Sequence, residues 1–172
     1  MSPALLEIPA YADDGALRVI VECPRGSCLK FDYDAEHGVF EVGRPLPLGM
    51  SYPFDWGFIP GTRAPDGDPI DALMLNDVAT YPGVLIPGRA IGMVKLREKP
   101  SRGSARENHR VVVLPSWRDP RAAAAESLPD DVREQLEQFF VDVARFTDKH
   151  VKVTGWASAR EADAYVRSRK LR

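Results

Sequence analysis

The sequence is poor in cysteine and histidine, with two cysteines and three histidines among 172 residues. Cys23 and Cys28 lie five residues apart, and no two histidines have the spacing of a zinc-ligand pair. A structural zinc site is therefore not expected. We expect two reduced thiols, at least one of them packed near a turn.

Long apolar runs and an excess of one charge are also missing. No segment approaches the length of a membrane span, and the first residues lack the basic and apolar regions of a signal peptide. The 23 Lys and Arg residues nearly balance the 25 Asp and Glu residues, for a net charge of −2, which excludes a histone-like polycation. We expect a cytoplasmic protein without membrane association, with residues 1–172 forming one domain.

Proline, in contrast, is abundant: the chain has 15, whereas an average protein has about 5%. A chain so rich in proline forms short elements joined by stiff turns, so a bundle of long helices is excluded. Short apolar or alternating runs predict three strands in a meander at 16–22, 28–34 and 39–44, and further strands at 71–77, 89–98, 109–115 and 151–156. Gly92, inside an apolar strand pattern, predicts a bulge or a barrel bend, and residues 98–108 are the best candidate for a loop.

The last third of the chain has helical periodicity. Ser127 and Asp130 form an S-x-x-D start signal with Pro129 in the first turn, followed by an amphipathic helix that runs to Val143. Ser158 and Glu161 form a capping box that predicts a terminal helix. The periodicity as a whole indicates one small barrel with about two helices packed on it.

Three carboxylates crowd into D-G-D-P-I-D at 66–71. Their mutual repulsion is costly unless a cation lies among them. An EF-hand is excluded, because Asp71 stands where that loop needs glycine and the closing glutamate is missing. Hard oxygen ligands of this kind suit Mg²⁺ or Mn²⁺, and a solvated turn is the alternative.

An aromatic segment, Y-P-F-D-W-G-F-I-P-G at 52–61, precedes this turn. Together the two segments resemble the signature of the soluble, family I inorganic pyrophosphatases, in which Y-P-x-x-Y-G-[YF]-I-P precedes D-G-D-P-x-D. Further segments of the chain follow in family order and spacing over roughly residues 17 to 170. The resemblance implies a mainly β (α+β) fold, an OB-like five-stranded closed barrel with about two helices packed outside.

The resemblance implies Mg²⁺-dependent hydrolysis of pyrophosphate to two phosphates, with Mn²⁺ as a substitute ion. Metal-bound hydroxide would attack one phosphorus directly, without a covalent intermediate. By the resemblance, Asp66 and Asp71 are metal ligands, Asp71 bridging two ions, and Asp68 is the general base. Glu22 and Asp32 correspond to acidic residues that line the cavity, Asp32 replacing the usual glutamate.

Phosphate-binding positions of the family correspond to Lys30 and Arg44, and a tyrosine of the site wall to Tyr52. Taken alone, Lys30 would be read as part of a solvated strand face, and Arg44 as a surface charge. Trp56 replaces a tyrosine whose hydroxyl reaches phosphate in the family. An indole N–H can donate but not accept a hydrogen bond, so this substrate contact is altered.

The second metal cluster of the family is changed in this chain. Glu98 corresponds to its first acid, Asn108 replaces an aspartate and Arg110 replaces a phosphate-binding lysine. Asparagine keeps a carbonyl ligand but lacks the negative charge, so we expect weaker metal binding there. Residues 95–110 contain six basic and two acidic side chains.

The family's phosphate-binding Tyr-Lys pair is also missing, because Val143 and Ala144 occupy its positions. Arg145, next in the sequence, could substitute only if the helix rotated or the register shifted. These departures leave a catalytically weakened homologue that binds phosphate, nucleotide or single-stranded nucleic acid as the alternative to a pyrophosphatase. Hydrolysis of a bulkier diphosphate is a third hypothesis.

The family resemblance also bears on partners. It implies a homo-oligomer, with a hexamer favoured for a chain of this length. A net charge of −2 argues against a nucleic-acid partner, because such proteins usually carry a basic surface. Pyrophosphate is therefore the expected partner.

Overall fold

A computed structural model describes residues 4–119 and 128–171. After a 3₁₀ turn at Leu5–Glu7, the elements in chain order are β1 (Leu17–Cys23), β2 (Leu29–Asp34), β3 (Val39–Pro45), β4 (Asp55–Ile59), β5 (Ile70–Met74), β6 (Leu85–Pro100), β7 (Arg106–Glu107), β8 (Arg110–Pro115), α1 (Asp130–Val143), β9 (Lys149–Ser158) and α2 (Ala159–Ser168).

Five strands close into a ring in the order β1, β4, β5, β8, β6, with β6 pairing back to β1. The pairings are antiparallel except that between β5 and β8, which is parallel and sets Asp71 opposite Arg110. β9 extends the sheet from β6, and α1 and α2 flank the strands. The predicted mainly β, five-stranded closed barrel with two helices is confirmed.

The predicted three-strand meander is wrong, because β1 belongs to the ring while β2 and β3 form a separate two-stranded hairpin. β1 pairs with β4, Ile20 opposite Phe58, and with β6, Leu17 opposite Gly88. Periodicity identified the three strands, but a strand's own residues do not specify its partner. β1 is buried on both faces, as expected for a strand of the ring, whereas β2 of the separate hairpin is only partly buried.

β6 is longer than predicted and takes up part of the expected loop at 98–108. Glu98 pairs with Val151 of β9 and with Arg106 of the short strand β7. The sequence there is polar and contains a proline, so it looks like a loop until its neighbours are known. The bulge predicted at Gly92 is confirmed by the register shift between β6 and β8 at this point.

Both predicted helices are confirmed. α1 buries Leu136, Phe139 and Phe140, and it begins at Asp130 after Pro129; Ser127 of the predicted start signal lies outside the described residues. The capping box of α2 is present, with Ser158 Oγ accepting from the Glu161 backbone N–H at 3.3 Å. Within the described part of the chain, no helix is both long and apolar enough to span a membrane.

Two hydrophobic clusters occupy the interior. Val111 and Val113 of β8 belong to the cluster that contains α2 residues, whereas Val112 and Leu114 belong to the cluster that contains α1 residues. β8 is therefore buried on both faces, which explains its unbroken apolar sequence. Of the two free thiols, Cys23 is buried and Cys28 is exposed, as predicted for reduced cysteines.

Candidate active site

The acidic turn at 66–71 is shaped by short hydrogen bonds. The Ala64 N–H donates to the Asp68 carbonyl at 2.7 Å, and the Gly67 N–H donates back to the Ala64 carbonyl at 3.0 Å. Gly67 has a φ of 99°, which favours glycine. Asp66 Oδ1 accepts from the Asp68 N–H at 3.3 Å. The turn therefore presents its carboxylates where β5 begins.

These carboxylates line a cavity of about 490 Å³. Strands that are distant in sequence bring further polar groups to the same cavity. They are Glu22 from β1, Lys30 and Asp32 from β2, Glu98 from β6, Asn108, Arg110 from β8 and Lys149 from β9. The cavity thus combines hard oxygen donors with fixed cations, as a site for a metal ion and an anionic ligand requires.

A second cavity of about 350 Å³ adjoins the first, and Arg44 and Tyr52 line it. The residues common to both cavities are Lys30, Asp32, Trp56, Glu98, Arg110 and Lys149. Every residue that the sequence assigned to metal, substrate or cavity wall therefore borders one or both cavities. The individual roles of these residues stay predictions.

The acids that line the larger cavity are hard to ionise, because burial disfavours their charged form and neighbouring carboxylates add to the effect. Burial raises the pKa of Glu22 to about 8, and the nearby Asp71 carboxylate raises it further. Burial also raises the pKa of Asp71, against the opposing effect of Arg110, and that of Asp66, next to Asp68. A cation placed here would relieve both the desolvation and the repulsion.

Arg110 already supplies one such cation. Its Nη1 lies 2.7 Å from Asp71 Oδ2, and its Nη2 lies 3.1 Å from Glu98 Oε1. Nη1 also donates to Asn108 Oδ1 at 2.5 Å and to the Asn108 carbonyl at 2.8 Å. The guanidinium carbon lies 5.1 Å from the centre of the Trp56 ring. Arg110 is therefore held between the predicted first and second metal clusters.

The hairpin contributes the basic side of the site. Lys30 pairs with Arg44 across the hairpin and forms an ion pair with Asp32. A Cβ atom at Gly43 would overlap the Asp32 carboxylate, so a larger residue there would require the Asp32 side chain to move. Arg44 Nη2 donates to the Val143 carbonyl at 2.6 Å, at the end of α1. Hairpin and helix are thereby joined at the edge of the smaller cavity.

An aromatic wall closes the site on the side of α1. Tyr52 lies 5.7 Å from Trp56 and 5.6 Å from Phe139, and Trp56 lies 5.6 Å from Phe140, measured between ring centres. Burial raises the pKa of Tyr52 well above its ordinary value, and the neighbouring Cys23 thiol raises it further. Tyr52 is 3% exposed, so its contribution is chiefly to the shape of the wall.

The end of α1 borders the smaller cavity with uncharged side chains. Val143 and Ala144 line the smaller cavity and offer no charge to it. Arg145, considered as a substitute, is not among the residues lining either cavity. It lies 2.8 Å from Asp142 in an ion pair, and its side chain is mostly exposed.

Sequence analysis missed Lys149. This residue lines both cavities, and its Nζ lies 3.8 Å from Glu98 Oε2, a buried oxygen that lacks a hydrogen-bond partner. Its place follows from the register of β6 and β9, in which Pro100 lies opposite Lys149. No local motif marks it, so only the long-range pairing could have found it.

The donor set fits a divalent cation on the side of the acidic turn. Among the residues described, no three His, Cys, Asp or Glu side chains stand close enough to enclose a metal ion. Mg²⁺ does not need such a cage, because it is commonly held by one or two carboxylates, water and substrate phosphates. Asp66 offers such a carboxylate, and so does Asp71 through its Oδ1, because its Oδ2 lies 2.7 Å from Arg110 Nη1. The oxygens of Asn108 and one oxygen of Glu98 are likewise bonded to Arg110.

The structure thus has a closed barrel on which an acidic turn and a basic hairpin border adjoining cavities. These features define a class of proteins that can bind a divalent cation together with a polyanion. Comparison with known proteins identifies the family. The sequence model of inorganic pyrophosphatase matches residues 19–171. The chain belongs to the inorganic pyrophosphatase family, whose members depend on a metal ion, and the resemblance seen in the sequence is confirmed.

Similar proteins extend over most of the chain. The inorganic pyrophosphatase of Sulfolobus acidocaldarius is 37% identical over 151 residues, which cover 85% of this chain and 84% of the relative. The crystal structure of the Thermus thermophilus inorganic pyrophosphatase superposes with a TM-score of 0.86 at 30% identity, covering 96% of each chain. The inorganic pyrophosphatase structure from Coxiella burnetii has a TM-score of 0.82 at 31% identity and covers 94% of this chain and 97% of its own.

Proposed function

We propose that this chain hydrolyses inorganic pyrophosphate to two phosphates in a reaction that depends on Mg²⁺, with Mn²⁺ as a substitute ion. The observation that carries the proposal is the convergence of the acidic turn and the basic hairpin on adjoining cavities. Pyrophosphate needs both, because its negative charge repels a nucleophile until phosphate oxygens are neutralised. Membership of the family over residues 19–171 supports the same conclusion.

In this proposal Asp66 and Asp71 hold the divalent cation at the mouth of β5. When bound, the ion neutralises phosphate oxygens and lowers the pKa of a bound water. Asp68 accepts a proton from the attacking water, and the water oxygen bonds to one phosphorus. The bond from that phosphorus to the bridging oxygen breaks, and the departing phosphate keeps the electron pair.

Cations of the chain bind and orient the phosphate groups. Lys30 and Arg44 occupy neighbouring positions of the hairpin, and Lys149 faces the same cavity from β9. The Lys30 ammonium and the Arg44 guanidinium stabilise the negative charge that moves onto the departing phosphate, whereas Lys149 contributes to binding of the substrate. The smaller cavity, bordered by Val143 and Ala144, gives the departing group room away from the acidic turn.

Phosphate release from pyrophosphate, with and without Mg²⁺, tests this proposal. We expect Mg²⁺-dependent turnover in the wild type and a loss of about a hundredfold or more in Asp68→Asn, because a general base is removed. Asp68 is exposed, so the change should leave the fold intact. Asp13→Asn, which removes an exposed carboxylate from a turn near the start of the chain, is the matched control.

Two results would contradict the proposal. A wild type that binds pyrophosphate but releases no phosphate with Mg²⁺ would support the non-catalytic homologue instead. Equal turnover in wild type and Asp68→Asn would overturn the role of the general base.

Under the same proposal the chain works as a cytoplasmic homo-oligomer, with a hexamer favoured by the family resemblance. Light scattering, which gives the mass in solution, checks the number of copies.

A further inference from the structure

We infer that the Arg110 guanidinium takes the place of one divalent cation between Asp71 and Glu98, so that this site needs fewer metal ions than its carboxylates could otherwise hold. The inference deepens the proposed function and rests on it for its catalytic consequence. It depends on the contacts of Arg110, on how firmly those contacts are fixed, and on the charge around them.

The contacts of Arg110 are those expected of a bridging cation. One guanidinium nitrogen lies 2.7 Å from Asp71 and the other lies 3.1 Å from Glu98, so one charge joins carboxylates of two strands. Asn108 completes the set with two oxygens, its side-chain Oδ1 at 2.5 Å and its carbonyl at 2.8 Å. Asp71 Oδ2, Glu98 Oε1 and both Asn108 oxygens, which a metal ion between the clusters would need, are thus already bonded to Arg110.

The barrel fixes this guanidinium in place. Parallel pairing of β5 and β8 sets Asp71 directly opposite Arg110, and antiparallel pairing of β6 and β8 sets Val94 opposite it. The side chain is 9% exposed and lies against the Trp56 ring. Arginine keeps its proton at any pH at which proteins fold, so this cation cannot leave as a metal ion does.

The two carboxylates that Arg110 joins are balanced in charge without a further ion. Asp71 and Glu98 carry two negative charges, and Arg110 and Lys149 bring two positive ones, with Lys149 Nζ 3.8 Å from Glu98 Oε2. Asn108 adds none. A divalent cation entering between Asp71 and Glu98 would therefore gain little attraction and would meet two fixed positive charges. The outer side, towards Asp66, keeps an unbalanced carboxylate for the ion that catalysis uses.

Counting bound Mn²⁺ per chain by electron paramagnetic resonance tests the inference without any turnover. We expect the double variant Arg110→Gln with Asn108→Asp to bind one more Mn²⁺ per chain than the wild type. Asn108→Asp alone should bind no more than the wild type, because Arg110 still occupies the space. Arg97→Gln, which removes an exposed arginine from β6, is the control for the loss of one arginine charge and should not change the count.

Each outcome has one meaning. An unchanged count in the folded double variant overturns the inference, and so does an extra ion in Asn108→Asp alone or in Arg97→Gln. If the double variant does not fold, as judged by circular dichroism, the Asn108→Asp count still decides, because a gain there shows that Arg110 does not fill the space. Phosphate release measured in parallel separates the two proposals. Wild-type turnover with an unchanged Mn²⁺ count in the double variant contradicts only the inference. An extra ion in the double variant without wild-type turnover contradicts only the proposed function.

Discussion

Glu22 and Lys149 reach the same cavity from different strands, and their charges act on different properties. Glu22 extends from β1 into the acidic group, where burial raises its pKa to about 8. Lys149 begins β9 and lies beside the unpartnered oxygen of Glu98. We therefore expect Glu22 to influence the pH dependence of stability and Lys149 to influence the binding of an anion.

Lys149→Ala should raise the KM for pyrophosphate about tenfold and leave kcat nearly unchanged. One charged contact to phosphate contributes about 1.5 kcal/mol, which corresponds to that factor. Lys149→Arg should restore most of the affinity, because the charge is kept. Lys152→Ala serves as the control, since Lys152 lies on the same strand, is exposed and borders neither cavity. A similar rise in KM in both variants would contradict a specific role for Lys149.

Glu22→Gln should weaken the pH dependence of stability in metal-free protein. Between the ordinary pKa of 4.5 and about 8, the folded state holds a proton on Glu22 that the unfolded state has released. The free energy of unfolding therefore falls as pH rises through this window, and glutamine removes that fall. Melting curves from pH 5 to about 9 with a chelator measure it. Glu36→Gln, at an exposed turn, should keep the wild-type slope; a parallel curve for Glu22→Gln would refute the prediction.

At the scale of elements, β4 connects the barrel to the site. Its Gly57 lies opposite Val21 of β1 and Ala72 of β5, and its Trp56 packs under Arg110. Close approach of β1 to β4 depends on the missing side chain at position 57, because a Cβ atom there would meet the Ile20 and Val21 backbone.

Gly57→Ala should destabilise the fold by about 3 kcal/mol, because a Cβ atom there would overlap the Ile20 carbonyl oxygen and the backbone would have to shift. Chemical denaturation measures the change. Gly15→Ala is the comparison, since Gly15 has a φ of 84° and a Cβ atom there meets nothing within 4 Å. Only the conformational cost of about 1 kcal/mol is expected at that position. Equal losses in the two variants would exclude the steric explanation.

In the molecule as a whole, local sequence patterns predicted the positions of strands and helices but not the partners of the strands. Apolar periodicity predicted β8, α1 and the hairpin, and the capping box at Ser158 predicted the start of α2, because these depend on residues near one another in sequence. Pairing of β1 with β4 and β6, and extension of β6 along β9, depend on partners far away. Periodicity carries no information about such partners.

The residues of the candidate site also fall into two groups, those that local sequence motifs predict and those that depend on distant strands. Residues of the acidic turn could be predicted because they stand in one contiguous motif, whereas Lys30 and Arg44 of the hairpin could be assigned only through the family resemblance. The bonds of Arg110 to Asp71 and Glu98 come from three strands, so no spacing in the sequence encodes them. Lys149 is similar, since it comes to the cavity only through the register of β9 with β6. Substitutions at Asn108 and Arg110 were visible in the sequence, but their combined effect needed the geometry.

The separation of the hairpin from the ring has a consequence for substitutions. Except for Asp32 and Asp148, the acids that line the two cavities belong to the ring and the turn before β5, while Lys30 and Arg44 belong to the other sheet. Substitutions at Asn108 and Arg110 are therefore expected to act on the ring side of the site and to leave the pairing of Lys30 with Arg44 in place.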